Sequence, residues 1–166
     1  MANDIFLKID GLEGDSVDAA GNKHAGSISV LAWSWGMTQT GTTHLATGGG
    51  SGKVSVNDIS VTKRIDTTSH NLHQSCCDGT HFATATLTMR KAGGKNPVEF
   101  LKIEMKDVII SSLSSSVAAE SESLIENLTL NFGSFRYTYA AQDKDGNPLG
   151  GDKVSSWDIP KNTPAA

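Results

Sequence analysis

An all-β fold with one short helix is the class this chain's pattern predicts, and three observations carry the prediction. Eight or nine apolar runs of strand length recur along the 166 residues, separated by turn residues. Several of them alternate between apolar and polar positions, the period of a half-buried strand. No two are separated by a long helical pattern, which favours an antiparallel sandwich or barrel over a parallel sheet.

The elements follow in order. IFLKI places Ile5, Leu7 and Ile9 on one face. ISVLAWSWGM puts Leu31, Trp33 and Trp35 on a face expected to be core, with Ala32 and Ser34 opposite. In KVSVNDISVTKRI, Val54 and Val56 are out of phase with Ile59 and Val61, so a bulge is expected at about Asn57–Asp58. DTTSHNLHQSCCDG predicts the one helix, over about 67–77, capped by Asp66 or Thr67 and ended by Gly79. Leu72 and Cys76, four residues apart, give it a narrow buried stripe. HFATATLTMRK sets Ala83, Ala85, Leu87 and Met89 against Phe82, Thr84, Thr86 and Thr88, and AGGKNP then makes a turn. VEFLKIEM and VIISSL read as two strands split near Lys106–Asp107. ENLTLNF and FRYTY follow, joined at Gly133–Ser134 by either a bend or a tight turn, and VSSWDIP closes the chain after the polar turn QDKDGNPLGG.

Composition bounds the function. No linker or repeat divides residues 1–166, so one domain is expected, long enough to bury a real core. The hydrophobic fraction is 37% and the charged fraction 19%, with a net charge of −4. That balance offers no basic patch for nucleic acid, and no apolar run approaches the length of a membrane span. MANDIFLKIDG lacks the basic and apolar regions of a secretory signal. Cys76 and Cys77 are adjacent, which suits free thiols in a reducing cytoplasm better than a disulfide framework.

The segment 37–52, MTQTGTTHLATGGGSG, holds five Gly, five Thr and no Asp, Glu, Lys or Arg. Structureless loops of this length are uncommon inside compact domains unless they are functional or disordered. A free loop normally carries solvating charge; this one is adaptable without being strongly hydrophilic, as suits docking on a neighbour. Motifs that suggest chemistry are weak. His70, His73, Cys76, Cys77 and His81 supply zinc-type ligands, but without paired-cysteine spacing, and read as a polar helix face. GGGSGK is similar to a phosphate loop but has Thr47 and Val54 at two required positions and a strand after it. DKDGN lacks the rest of a calcium loop, and Asn127-Leu128-Thr129 lies within a strand. No nucleophile elbow or paired-His motif is present, so neither an enzyme nor a cofactor is expected.

The ordered set FLKIDGLEGDSVD, VLAWSWGM, GKVSVNDISVTKRID, the helix segment, RKAGGKNPVEFLKI, ENLTLNF and a final Trp-Asp resembles the haemolysin-coregulated protein (Hcp) family, the tube proteins of bacterial type VI secretion. The resemblance runs from about residue 3 to about residue 162. It implies an antiparallel two-sheet β-barrel, phage tail-tube-like, flanked by a helix. It also implies homohexameric rings that stack into a hollow tube, ejected with a spike protein by a contractile sheath. By the same resemblance, small effector proteins are expected to be carried and stabilised in the lumen, and the protein is expected to pass from the bacterial cytoplasm to the outside without a signal peptide. Mapped here, the ring-stacking loop comprises Met37, Thr38, Gln39, Thr40, Gly41, Thr42, Thr43, His44, Leu45, Gly48, Gly49 and Gly50, and Ser34 is the candidate for a lumen residue that meets cargo. His70 stands where relatives often have Pro, and Cys77 where a small residue is common. The competing reading is a soluble, for example carbohydrate-binding, β-sandwich module with no ring assembly.

Overall fold

The computed structural model of the chain describes residues 3–18, 23–44, 50, 52–91 and 97–166. Its strands are β1 (Asn3–Ile9), β2 (Ile28–Ser34), the short β3 (Met37–Thr38) and β4 (Ser55–Val56), and β5 (Ile59–Arg64). Helix α1 (Ser69–Asp78) precedes β6 (Phe82–Lys91), β7 (Glu99–Ser116), β8 (Ile125–Asn131), β9 (Ser134–Tyr139) and β10 (Lys153–Asp158). The ladder β7-β6-β1-β2-β5-β8 returns to β7, closing a six-stranded antiparallel barrel, and β9 and β10 extend it from the β7 side. Leu7, Ile9, Ile59, Leu87, Ile103, Met105, Leu128 and Leu130 fill the interior.

One long hairpin makes both sheets. β7 is a single 18-residue strand rather than the two expected. Its first half pairs β6 and β9; its second half pairs β8. β8 and β9 together form one bent partner, with Ile109↔Asn131 and Lys106↔Ser134 on either side of the bend. Asp107 takes φ 54° at this corner, and the Gly133 N–H donates to Lys106 O at 2.9 Å. A Cβ on Gly133 would lie 3.3 Å from that of Asp107, so glycine suits the crossing. The split read at Lys106–Asp107 is therefore a corner, and Gly133–Ser134 is a bend.

Three other expectations change. A register shift between Val30 and Ala32 makes Leu31 a bulge residue, 46% exposed, while Trp33 and Trp35 still pack against the core. Phe82 joins the core out of phase with Ala85 and Leu87, and Ala83 is exposed. The phase break at Asn57–Asp58 is a gap between β4 and β5, which belong to different sheets.

The outer face of β1 and β6 is buried too, by a strap leading into β2. Its rungs are Gly14 N to Gly26 O at 2.6 Å and Ser16 N to Ser27 O at 3.0 Å. Beneath it the Phe6 ring stacks on His24 at 4.4 Å and lies 4.8 Å from the Arg90 guanidinium carbon. Arg90 donates twice to Asp18, at 2.7 and 3.0 Å, and to Asp4 at 3.1 Å. A Cβ on Gly14 would sit 2.4 Å from the Ser27 carbonyl oxygen. Gly14→Ala is thus expected to cost about 1–3 kcal/mol, seen as a lower urea midpoint.

His24 and Lys23 also reach Glu99, at 2.7 and 2.9 Å. Burial works against the Glu99 charge, but hydrogen bonds and charge from Lys23 and His24 outweigh it and hold the carboxyl below its ordinary 4.5. A value lowered by folding adds stability that is complete above the unfolded value and is lost as pH falls through the folded one. Glu99→Gln should flatten the decline of stability below about pH 4.5, measured by urea unfolding across that range.

Helix α1 starts at Ser69, two residues later than expected. Neither Asp66 nor Thr67 is the cap; Thr68 holds that position, and the Asp66 carboxylate accepts the Thr68 N–H at 2.9 Å in the turn before it. Lys63 Nζ, 3.1 Å from Asp66 Oδ1, fixes that carboxylate to the barrel. Gly79, at φ 68°, ends the helix with its N–H on Ser75 O.

Candidate functional site

The described residues of the 37–52 segment are not structureless. The Asn57 N–H donates to Gly36 O, then Met37↔Val56 and Thr38↔Ser55 pair, and Gly52 N–H donates to Thr40 O at 3.3 Å. Farther out the Thr42 hydroxyl donates to Gly50 O at 2.6 Å and accepts from Gly50 N at 3.1 Å. These rungs make a two-stranded arm. Gly36 to Thr42 is six steps, roughly 20 Å at strand rise. Met37, Thr38, Gln39, Thr40, Gly41, Thr43, His44 and Gly50 are exposed along it and Thr42 is half-buried; Leu45, Gly48 and Gly49 lie outside the described residues. Threonine and glycine suit this form, the first by β-propensity and side-chain rungs, the second by leaving backbone open.

Below the arm, β2, β5, β8 and the second half of β7 form one continuous sheet with a neutral outer face. Ser34, Ser60, Thr129 and Ser112 stand in one cross-strand row. Ala32, Thr62, Asn127 and Ser114 stand in the next. Thr62 Oγ1 donates to Asn127 Oδ1 at 2.7 Å, and the Ser112 and Thr129 hydroxyls are 2.7 Å apart. Asp58, held by Ser111 and by Asn131 Nδ2 at 2.8 Å, marks one end of this face, and Arg64 the other. Between them neither row carries a charge or an aromatic ring. Ser34 is thus exposed on the side away from the core, as strand alternation indicates. Reading one strand at a time paired Ser34 with Ala32 but missed its six companions on β5, β8 and β7; the polar phases of those three strands carried the signal.

The helix cluster does not converge. His70 and Cys77 are exposed, and His73 Nδ1 donates to Ser69 O at 2.6 Å. Among the described residues no three His, Cys, Asp or Glu side chains form a metal-holding group. The DKDGN segment is a turn in which the Asp143 carboxylate accepts the N–H groups of Asn147 and Asp145 at 2.9 and 2.8 Å. Those bonds, Asn147's first, hold the Asp143 carboxyl below its ordinary value.

The model of the family described as type VI secretion system effector, Hcp, matches residues 6–139. The chain belongs to the Hcp family. It is 46% identical to the Hcp1 protein of Pseudomonas aeruginosa over 165 residues, 99% of this chain and all of that one. The crystal structure of Hcp1 from Salmonella typhimurium superposes with a TM-score of 0.81 at 36% identity, covering 99% of this chain and 100% of that one. A solved type six secretion system protein gives a TM-score of 0.89 at 27% identity, over 99% and 100% of the two chains. The closed barrel with extra strands and one flanking helix is therefore the Hcp architecture, and type VI secretion is the system in which the family works.

Proposed function

We propose that this Hcp-family chain is a structural tube component of type VI secretion, without enzymatic activity. Six copies close into a ring, rings stack into a hollow tube, and a contractile sheath ejects the tube behind a spike protein. Small effector proteins ride in the lumen, against the face that carries Ser34, and the chain leaves the bacterial cytoplasm with them. The observation that supports this most is the neutral double row on β2, β5, β8 and β7. Small hydroxyl and amide groups hold water and offer hydrogen bonds without anchoring a passing protein through charge or large apolar area. The arm, from Met37 to Gly50, is the stacking element.

Light scattering on purified protein in dilute neutral buffer tests the ring. Six protomers of 17.5 kDa give about 105 kDa, and closed rings should be visible in the same fraction. A folded, monodisperse monomer would instead favour a carbohydrate-binding module. One feature favours that second reading: an apolar cleft of about 470 Å³ at the arm's base, lined by Trp35, Phe135, Tyr137 and Trp157.

A further inference from the structure

The neutral face ends, opposite Asp58, in a row of different character. Val30 pairs with Lys63 and Ala32 with Thr62, so Leu31 is the extra residue of the bulge. Bulges re-aim side chains, and here an apolar one is turned out to 46% exposure. Lys63 points inward to Glu126, so the β5 side chains that flank Leu31 on the outer face are Thr62 and Arg64. Arg64 is exposed and pairs with the half-buried Ile125, which pairs in turn with Ser116. Leu31, Arg64, Ile125 and Ser116 thus make a third row across the four strands, after the two neutral ones.

Among the described residues no carboxylate lies within ion-pair distance of Arg64; Glu120 and Glu122 stand farther out, in the turn after β7. A guanidinium between two apolar side chains has the composition of an anchoring point, since arginine and large apolar groups concentrate at the centres of protein interfaces while other charges are depleted there. Its complement is a segment with a carboxylate flanked by apolar side chains. The carboxylate accepts from the guanidinium, and Leu31 and Ile125 cover the apolar neighbours.

We propose that this row holds the passenger in the lumen, gripping an acidic segment flanked by apolar residues on a small cargo protein. The inference rests on the lumen reading above and adds to it the chemistry of the partner. The neutral rows let a passenger slide, and the Leu31–Arg64–Ile125 row stops it. A ring of copies repeats the row at one level, so several weak contacts act on one passenger together.

The test uses the full-length chain, its ring mass checked by light scattering, and three short fluorescein-labelled peptides that alternate Asp with Leu, Lys with Leu, or Asp with Ser. Fluorescence anisotropy should show parent rings binding the Asp–Leu peptide best, less well as salt rises. Arg64→Glu should weaken that binding roughly tenfold and move the preference to the Lys–Leu peptide. Leu31→Ser should reduce the Asp–Leu peptide to the level of the Asp–Ser one. Both side chains are exposed, so ring mass should stay unchanged in each variant. Rings of the right mass that bind no peptide, or that bind the Asp–Leu peptide equally well in both variants, overturn the proposal and leave the tube reading standing. A folded monomer in place of rings fails the lumen reading and the passenger with it; Arg64-dependent binding by that monomer would reduce the row to a surface site.

Discussion

Removing residues 42–50 and closing the arm with a two-residue turn should leave folded rings that no longer form tubes. None of the segment's described positions belongs to the core: 43, 44 and 50 are exposed and Thr42 is half-buried, bonded to Gly50. The rungs at the arm's root, Met37↔Val56 and Thr38↔Ser55, are left in place, and so is the packing of Trp35 between Phe132 and Phe135. Stability should therefore change by no more than about 0.5 kcal/mol, the scale of surface changes away from packed features. Thermal unfolding reads the first part of the expectation, and electron microscopy with light scattering the second. A deletion protein that loses its fold would show that the arm is structural, and a protein that still stacks would place the stacking contact elsewhere.

Breaking the ion pair beneath the helix should have the largest effect on stability of any single substitution in the barrel wall. Lys63 and Glu126 are both fully buried, with Nζ and Oε2 2.7 Å apart. Lys63 also meets Asp66 Oδ1 at 3.1 Å and Ser69 Oγ at 3.2 Å, and Ser69 Oγ donates to Glu126 Oε2 at 2.9 Å. The cluster joins β5, β8 and the first residue of α1, so its charges are matched only while all three are in place. Lys63→Ala leaves the buried Glu126 carboxylate without its cation and should cost roughly 3–5 kcal/mol, a large share of a typical domain's stability. Lys63→Met together with Glu126→Leu removes both charges at similar volume and should cost much less than either single change. Urea unfolding of the parent, Lys63→Met, Glu126→Leu and the double variant gives the coupling directly. Additive losses would mean that the pair acts as two independent groups.

The parts of the fold legible in the sequence were those where one face is solvent and the other is core. Leu128 and Leu130, or Ile59 and Val61, alternate cleanly because β5 and β8 have this environment. Legibility fails where a second layer or a bulge intervenes. Phe6, Thr88 and Arg90 occupy the phase that should face water, yet the strap buries them. Leu31 has the spacing of a core residue and is exposed because the register slips beside it. At Asp107 a charged, turn-like dipeptide resembles a strand boundary, and only the pairing on both sides shows a corner instead. Of the candidate site, the arm was visible as a charge-free stretch, but its rungs were not, since Thr42 reaches Gly50 across an intervening gap in sequence. Lys63 and Glu126 gave no signal, because their partners come from elements 57 and 63 residues apart.

The bent hairpin also bears on how the molecule resists force. β7 and its partner run unbroken from one sheet into the other, so the sheets share two continuous backbones rather than meeting through side chains alone. A pull along the strands loads the successive rungs from Leu101↔Tyr139 to Ser116↔Ile125 together, in shear, instead of peeling them one at a time. The strand pair acts as a tie rod around the barrel's corner, and the glycine at the bend lets that rod turn without parting.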